Sequence, residues 1–225
     1  VLRKNEGALA VKEAFEKGLD FHRQTAEMAG IDRKLAKTIG LGVMYGMGYK
    51  KMAVDLDIAP IEAKEMLKEF RNKVPFMQGM LEDVMNRANK VGSIRTYLGR
   101  RCQFNLWEPN WFEVDPVTKQ PVFHKALPHS EANIKWSGSI KRAGTYKALN
   151  RLIQGTAADQ TKKAMVDVYE KLGIIPLIQV HDELNCSVKS DKEAKEIKNI
   201  METCIDLTVP SNVDYKIKDN WGDAK

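Results

Sequence analysis

The chain has 225 residues, enough for one sizeable hydrophobic core or for two smaller lobes. Its 43% hydrophobic and 29% charged residues are typical of a globular protein, and no apolar run reaches the roughly 20 residues that a membrane-spanning helix needs. The net charge of +6 favours a polyanionic partner. The three cysteines, Cys102, Cys186 and Cys204, form no C-x-x-C pair, which indicates a reducing compartment and argues against a zinc knuckle.

Apolar residues at helical spacing predict that the first 92 residues are nearly all helical. Asp32 is a suitable N-cap, and the glycines of Gly46-Met47-Gly48 end the helix that it begins. The predicted helices are, in chain order, about Ala8 to Ala29, Asp32 to Tyr45, a segment from near Pro60 with Ile61, Met66, Leu67 and Phe70 on one face, and a segment from Pro75 to Gly92.

The second half of the chain mixes short strands with helices, so the whole chain is predicted to be α+β. Its predicted elements are a hairpin over 93–106 with Gly99 at the turn, a loop or short β-excursion over about 107–128, a helix from about Ser137 to Lys171 interrupted or bent near Gln154 and Gly155, a hairpin from Ile174 to Val188, an amphipathic helix over 191–207 and a closing strand over 212–219.

The stretch LIQVHDELNCSVK, from Leu177 to Lys189, places His181, Asp182 and Glu183 between two apolar runs. Two adjacent carboxylates at this point suit a divalent-metal site held at the tip of a hairpin. They equally suit a charged turn at the protein surface. The residues alone leave both interpretations open.

Arg33, Lys37, Leu41 and Tyr45 are spaced four apart and form one slanting stripe on the predicted helix. The two cations suit a triphosphate, and an aromatic ring at the other end suits stacking on a base. The competing interpretation is a solvated helix face with Tyr45 in the core. Two helical glycines, at positions 40 and 42, suggest that something approaches this backbone closely or makes it bend.

Six segments then resemble, in the same order, those of family A DNA polymerases, the bacterial DNA polymerase I group that includes phage replicases. They are EGALAVKEAFEKGLDFHRQTA, the R-x-x-x-K-x-x-x-x-x-x-x-Y-G pattern that starts at Arg33, TYLGRR, NRLIQGTAADQTKKAM, QVHDEL and DNWGDAK. The resemblance covers nearly the whole chain except about 107–136. It implies a right-hand polymerase fold, incomplete at the N-terminus, with mainly helical fingers over 1–92, including the nucleotide-binding helix 32–46, and a palm with a small antiparallel sheet over 93–225, including the catalytic hairpin 174–188.

The resemblance also assigns roles at the reaction centre. Asp182 becomes a metal-binding, catalytic carboxylate in a two-metal Mg²⁺ site, and Glu183 becomes its supporting neighbour. Lys37 holds the triphosphate and can donate a proton to the departing pyrophosphate. His181 faces the primer terminus, and its alternative is a turn histidine without a role.

The nucleotide and DNA contacts are implied by the same resemblance. The nucleotide-binding residues are Arg33, Lys37, His22, Leu41 at the sugar and Tyr45 where the template base waits, although a histidine near a helix end is also common as a structural residue. Asn150 and Gln154 reach primer and template through the minor groove, and Arg100 and Arg101 touch backbone phosphates. For Gln154 the alternative is a hydrogen bond at a helix bend.

Two features depart from the family pattern. Leu41 stands where the family usually has an aromatic residue, so sugar discrimination is expected to differ. The family's other essential aspartate, in D-Y-S-x-x-E, has no counterpart here. The start VLRKNEGALA resembles the family's residues just after that motif, so Val1 is interpreted as a cut edge and the 225-residue chain alone is expected to extend primers undetectably.

These features predict a fragment of a DNA-directed DNA polymerase, which adds deoxynucleotides to a primer 3′-end in DNA replication. The expected partners are primer-template DNA, deoxynucleoside triphosphates and a missing N-terminal polymerase segment, in the cytoplasm of a bacterial or phage-infected cell. Two alternatives stay open: a non-catalytic DNA-binding half of a split replicase, and a metal-dependent nuclease using residues 181–183. Primer extension, binding alone or shortening of the DNA would distinguish the three.

Overall fold

A computed structural model describes residues 6–118 and 122–224 of the chain. Six helices fill the first part, and their apolar faces meet in a core that contains Ile39, Val43, Met52 and Met77. Their bounds are α1 Glu6–Glu16, α2 Phe21–Ala29, α3 Arg33–Met44, α4 Tyr49–Leu56, α5 Pro60–Lys73 and α6 Pro75–Val91.

Local signals account for most of these helix ends. The Asp32 carboxylate accepts hydrogen bonds from the backbone N–H groups of Lys34 and Leu35, at 2.9 and 3.1 Å, so the predicted N-cap of α3 is confirmed. Gly92 ends α6 with a φ of 73°, a left-handed conformation that suits glycine.

Two expectations for this part were wrong, and one helix was not predicted. The single helix over Ala8 to Ala29 is two helices, because Gly18 adopts a φ of 68° and Asp20 caps a new helix. Helix α4 was not predicted at all. The side chain of Ile61 is 63% exposed, because the buried face of α5 follows Ala63, Leu67 and Phe70 instead.

The predicted hairpin after α6 is confirmed. Strands β1, Ser93–Arg95, and β2, Arg101–Gln103, pair antiparallel with Ile94 opposite Cys102. Gly99 lies in the turn with a φ of 88°, which few other residues adopt. Ile94 is buried with Phe104 and Ala148, so the hairpin packs on the start of the long helix that comes later in the chain.

The segment before that helix contains β3 Leu106–Pro109, β4 Leu127–Pro128, helix α7 His129–Lys135 and β5 Ile140–Arg142. The three strands form a small sheet in the order β4-β3-β5. The Arg142 guanidinium lies over the Trp107 ring at 4.6 Å and donates to the carbonyls of Asn89 and Phe104 at 3.0 and 2.9 Å. Arg142 therefore fastens this sheet to α6 and to the end of the first hairpin.

The predicted helix from Ser137 to Lys171 begins about eleven residues too early and is not interrupted. Ser137 and Gly138 turn the chain with positive φ values, and β5 and a 3-10 turn at Thr145–Lys147 precede helix α8, Ala148–Leu172. The helix runs unbroken through Gln154 and Gly155. A Cβ at Gly155 would lie 2.8 Å from the Thr96 side chain, so close packing against the hairpin accounts for that glycine.

The last part of the chain packs on α8. Strands β6, Ile178–Val180, and β7, Glu183–Asn185, form the expected second hairpin, shorter than predicted, and α9, Asp191–Thr203, forms the expected amphipathic helix. Val168 of α8 is buried with Ile197 and Ile200 of α9.

The predicted closing strand over 212–219 was wrong. The backbone N–H of Val213 donates to the Glu202 carboxylate at 2.8 Å, so an α9 side chain holds this segment in place of a neighbouring strand. A short helix, α10 Trp221–Ala224, comes after it. Across the described ranges, no helix combines the length and hydropathy needed to cross a membrane.

Candidate functional site

Packing of α2 against α3 brings three of the predicted nucleotide-binding residues together. His22 lies in the first turn of α2, and Arg33 and Lys37 lie on the first two turns of α3. Burial is the largest cause that lowers the pKa of His22, and the charges of Lys37 and Arg33 lower it further, so the three side chains share one electrostatic environment. The sequence prediction that these residues meet is consistent with this arrangement.

Arg33 forms an ion pair with Asp20 at this site. Its Nη2 donates to Oδ2 of Asp20 at 2.6 Å, and the other oxygen of Asp20 accepts from the backbone N–H of Arg23 at 2.8 Å. The Arg33 hydrogen bond is the largest cause that lowers the pKa of Asp20 to about 2, and the same bond raises the pKa of Arg33. Sequence reasoning missed Asp20, because it lay inside the single helix predicted over Ala8 to Ala29, whereas in the structure it caps α2.

His22 is partly buried, and its ring makes a T-shaped contact with the ring of Phe21, with the ring centroids 5.4 Å apart. The burial that lowers its pKa outweighs the Asp20 carboxylate, which opposes the shift. The imidazole is therefore neutral at neutral pH. Its Nδ1 is buried and has no hydrogen-bond partner within the part of the chain that the structure describes.

The other end of α3 reaches the long helix α8. Tyr45 is 42% exposed, and its hydroxyl accepts a hydrogen bond from Nε2 of Gln154 at 3.0 Å. Leu41, one turn earlier, is half-buried. The predicted template-base and minor-groove residues are thus direct neighbours.

The two glycines of α3 have an internal explanation. A Cβ at Gly42 would lie 2.1 Å from the end of the Met47 side chain, so Met47 occupies the space beside this backbone. At Gly40 a Cβ would meet Met77 and Phe70 at 3.8 Å, which is ordinary contact. The close approach inferred from the sequence is made at Gly42 by a methionine of the same chain.

Arg100 and Arg101 differ sharply in their surroundings. Arg100 donates through Nε to Asp159 Oδ1 at 2.6 Å and through Nη2 to the carbonyl of Gly155 at 2.9 Å, so it joins the first hairpin to α8. Asp159 is only 8% exposed; burial raises its pKa, but hydrogen bonds from Thr96 and Arg100 outweigh burial and lower it overall. Arg101 is exposed on β2, and Asn150 is half-buried on α8.

The predicted metal residues lie at the turn between β6 and β7. His181 has a φ of 54°, and His181, Asp182 and Glu183 are all exposed. Glu183 Oε1 accepts from Trp221 Nε1 at 3.0 Å and from Asn185 Nδ2 at 2.9 Å. Trp221, which sequence reasoning left without a role, therefore ties the end of the chain to this turn.

The side chains around this turn do not by themselves fit a complete two-metal site. Among residues 6–118 and 122–224, no group of three or more histidine, cysteine, aspartate or glutamate side chains is placed to hold a metal ion. Oε1 of Glu183 accepts two hydrogen bonds from within the protein, and the Asp182 side chain beside it is exposed.

A sequence model of the family described as DNA polymerase family A matches residues 6–223, nearly the whole chain. The chain belongs to DNA polymerase family A. A DNA-directed DNA polymerase of Pseudomonas phage M6 is 36% identical over 90% of this chain, and the thermostable DNA polymerase I of Thermus aquaticus is 30% identical over 94% of it. The family resemblance drawn from the motifs is confirmed.

A solved polymerase structure has the same fold. The structure described as the POL domain of Pol1 from M. smegmatis in complex with DNA primer-template and dNTP covers 93% of this chain, with a TM-score of 0.66 and 26% identity. The α+β polymerase fold expected from the sequence is therefore confirmed. This chain spans only 31% of the phage polymerase, 24% of the Thermus polymerase and 35% of the M. smegmatis chain.

Proposed function

We propose that this chain is the fingers and palm segment of a DNA-directed DNA polymerase that adds deoxynucleotides to a primer 3′-end. The observation that carries the proposal is the position of His22, Arg33 and Lys37 within the first two turns of α2 and α3, two helices that the Asp20–Arg33 hydrogen bond joins. It is supported by the family and by the M. smegmatis structure, a complex with a primer-template and a dNTP.

The proposed division of the chain has fingers over 1–92 and palm over 93–225. It is supported by the hydrophobic clusters: the largest contains residues of α1 to α6, and the three others draw on the end of α6 and the elements after it. In this arrangement the triphosphate lies against α3, and the Tyr45–Gln154 hydrogen bond spans the junction between the two parts.

At the proposed triphosphate site, two permanently charged side chains, Arg33 and Lys37, and one neutral histidine have different roles. Arg33 presents a fork of N–H donors that matches two phosphate oxygens, and Lys37 offers a mobile point charge and a transferable proton. Neutral His22 adds one hydrogen bond without adding charge. Leu41 then supplies an apolar wall for the sugar, and Tyr45 a ring for the template base.

The proposed DNA contacts lie along α8 and the first hairpin. Asn150 and Gln154 face the minor groove, where the acceptors of all base pairs are similar, so they check shape without reading sequence. Exposed Arg101 suits a backbone phosphate. Arg100 has a double role in this proposal: its ion pair with Asp159 positions the hairpin, and its remaining donors reach the DNA.

At the proposed reaction centre, Asp182 is one ligand of Mg²⁺ and His181 faces the primer terminus. When bound, two Mg²⁺ ions stabilise the attacking and leaving oxygens of nucleotidyl transfer. Glu183, held by Trp221 and Asn185, supports the turn rather than the metal. We propose that a further polymerase segment supplies the second carboxylate, and that the protein works in the cytoplasm of a bacterial or phage-infected cell.

A primer-extension assay tests this function. The purified chain is mixed with a labelled primer-template and all four deoxynucleotides, alone and together with the preceding segment of a family A polymerase that carries D-Y-S-x-x-E. Extension only in the presence of that segment is the expected result. Binding without extension in both mixtures would indicate a DNA-binding module, and shortening of the primer would indicate a nuclease.

A further inference from the structure

We infer that Asp20 is a positioning residue that presents Arg33 to the triphosphate of the incoming nucleotide. The inference rests on the proposed function, because it concerns the same anion site. It adds a carboxylate to a site that was assigned only cations and a histidine, and it gives that carboxylate a favourable effect on anion binding.

The two oxygens of Asp20 make two separate contacts. Oδ1 accepts from the backbone N–H of Arg23 and caps α2, and Oδ2 accepts from Arg33 Nη2 at 2.6 Å. One side chain therefore fixes the start of the helix that carries His22 and the direction of the guanidinium on α3. Asp20 and Arg33 lie 13 positions apart in the sequence, at the starts of different helices.

The contact leaves Arg33 able to bind an anion. Only one of its five N–H donors points to Asp20, and the Arg33 side chain is still 53% exposed. A free arginine samples many rotamers and loses that freedom when it binds a phosphate. Because Asp20 already restricts Arg33, less freedom remains to be lost when the triphosphate arrives.

A nearby carboxylate also repels an anion. Repulsion by Asp20 weakens triphosphate binding, whereas its positioning of Arg33 strengthens it. If Asp20 only competed with the triphosphate for Arg33, removing its charge would tighten binding. If Asp20 positions Arg33, removing its charge weakens binding. The single hydrogen bond from Nη2 favours positioning. A carboxylate that blocked the guanidinium would accept two parallel N–H hydrogen bonds from it.

Two substitutions at position 20 separate the cap from the ion pair. Asp20→Asn keeps a good N-cap but removes the charge that holds Arg33, whereas Asp20→Glu keeps the charge on a side chain less suited to capping. Asp32→Asn is the matched control, since Asp32 caps α3 beside Arg33 and its carboxylate bonds to the N–H groups of Lys34 and Leu35.

The test is isothermal titration of the 225-residue chain with inorganic tripolyphosphate and with dATP, together with thermal melts of each variant. Asp20→Asn should weaken both ligands by about three- to tenfold, as expected when an immobilised arginine regains its rotamers. Asp32→Asn should bind within about twofold of the parent, because it keeps the cap and leaves Arg33 untouched. Asp20→Glu should bind better than Asp20→Asn even though it melts at the same or a lower temperature.

Each other outcome has a distinct meaning. Equal or tighter binding by Asp20→Asn, with the parent binding normally, overturns the positioning role while leaving the anion site intact. Weaker binding by Asp20→Glu than by Asp20→Asn, in step with a lower melting temperature, means that only the cap matters, and also overturns it. A parent chain that binds neither ligand refutes the proposed nucleotide site itself, and the positioning role with it.

Discussion

The side-chain amide of Gln154 donates to the hydroxyl of Tyr45 at 3.0 Å, across 109 positions of sequence. This bond joins the end of α3 to the second turn of α8, and so connects the proposed nucleotide helix to the proposed minor-groove helix.

Removing either partner should uncouple these helices. Tyr45→Phe deletes only the hydroxyl, and Gln154→Ala deletes the amide. A double-mutant cycle in urea should give a coupling free energy of about 0.5–1.5 kcal/mol, the usual net value of one hydrogen bond. Pairing Tyr45→Phe with Asn150→Ala provides the control, for which the effects should add. Strict additivity in the Tyr45 and Gln154 pair would show that the bond does not contribute in solution.

Lys37→Ala should weaken triphosphate binding by about ten- to a hundredfold, the usual loss for one charged hydrogen bond, while affinity for primed DNA changes little. Lys64→Ala removes an exposed lysine from α5 and controls for net charge. The measurement is titration with dATP and, separately, with primer-template. Unchanged nucleotide affinity in Lys37→Ala would support the competing interpretation, in which this part of α3 is only a solvated helix face.

Asp182→Asn should abolish primer extension by the chain mixed with the D-Y-S-x-x-E segment of a family A polymerase, because a neutral amide is a far poorer Mg²⁺ ligand. Its affinity for duplex DNA should stay within a few-fold of the parent. Glu183→Gln should cost less activity, since Glu183 accepts hydrogen bonds from Trp221 and Asn185. Full activity in Asp182→Asn would rule out the metal role of this turn.

Leu41→Tyr should change how the polymerase treats the nucleotide sugar. By the family resemblance, a tyrosine here makes dideoxynucleotides more acceptable, and Leu41→Phe, which lacks the hydroxyl, is the matched control. Chain-termination ladders at a fixed ratio of dideoxy- to deoxynucleotide should be shorter for the tyrosine variant. Identical ladders for all three proteins would mean that position 41 does not line the sugar pocket.

Asp159→Asn should lower the free energy of unfolding by about 1–3 kcal/mol at pH 7, because it leaves the Arg100 guanidinium without its buried partner. The folded-state pKa of Asp159 is lowered, so its stabilisation is complete above its unfolded pKa and is lost as the pH falls through the folded value. Urea titrations from about pH 7 down to about pH 3 should show the difference from the parent shrinking. A constant difference would mean that the carboxylate charge is not involved.

Local chemistry decides the features that were predicted correctly from the sequence. The N-cap at Asp32, the end of α6 at Gly92 and the turn at Gly99 each depend on a residue type whose backbone or side-chain preference is strong by itself. The grouping of Arg33 and Lys37 also results from helical spacing alone.

Tertiary contacts decided what the sequence did not predict. The Asp20–Arg33 ion pair joins two helices, and nothing in either helix specifies its partner. The helical spacing of apolar residues continues across Gly18 in the sequence, although the helix itself ends before this residue. At 212–219 the apolar alternation of a strand is present, but the Glu202 side chain bonds to Val213 instead of a neighbouring strand.

Arg142 anchors the three-stranded sheet at its base, through two carbonyls and the Trp107 ring. These contacts fix β5 against β3 and involve no residue of the connection between β3 and β4, so changes in the length of that connection are of the kind that surface loops tolerate. Val117, which is 86% exposed on this connection, is accordingly a suitable attachment point for a fluorophore. A dye there would label the protein without substituting any residue of α3 or of the β6–β7 turn.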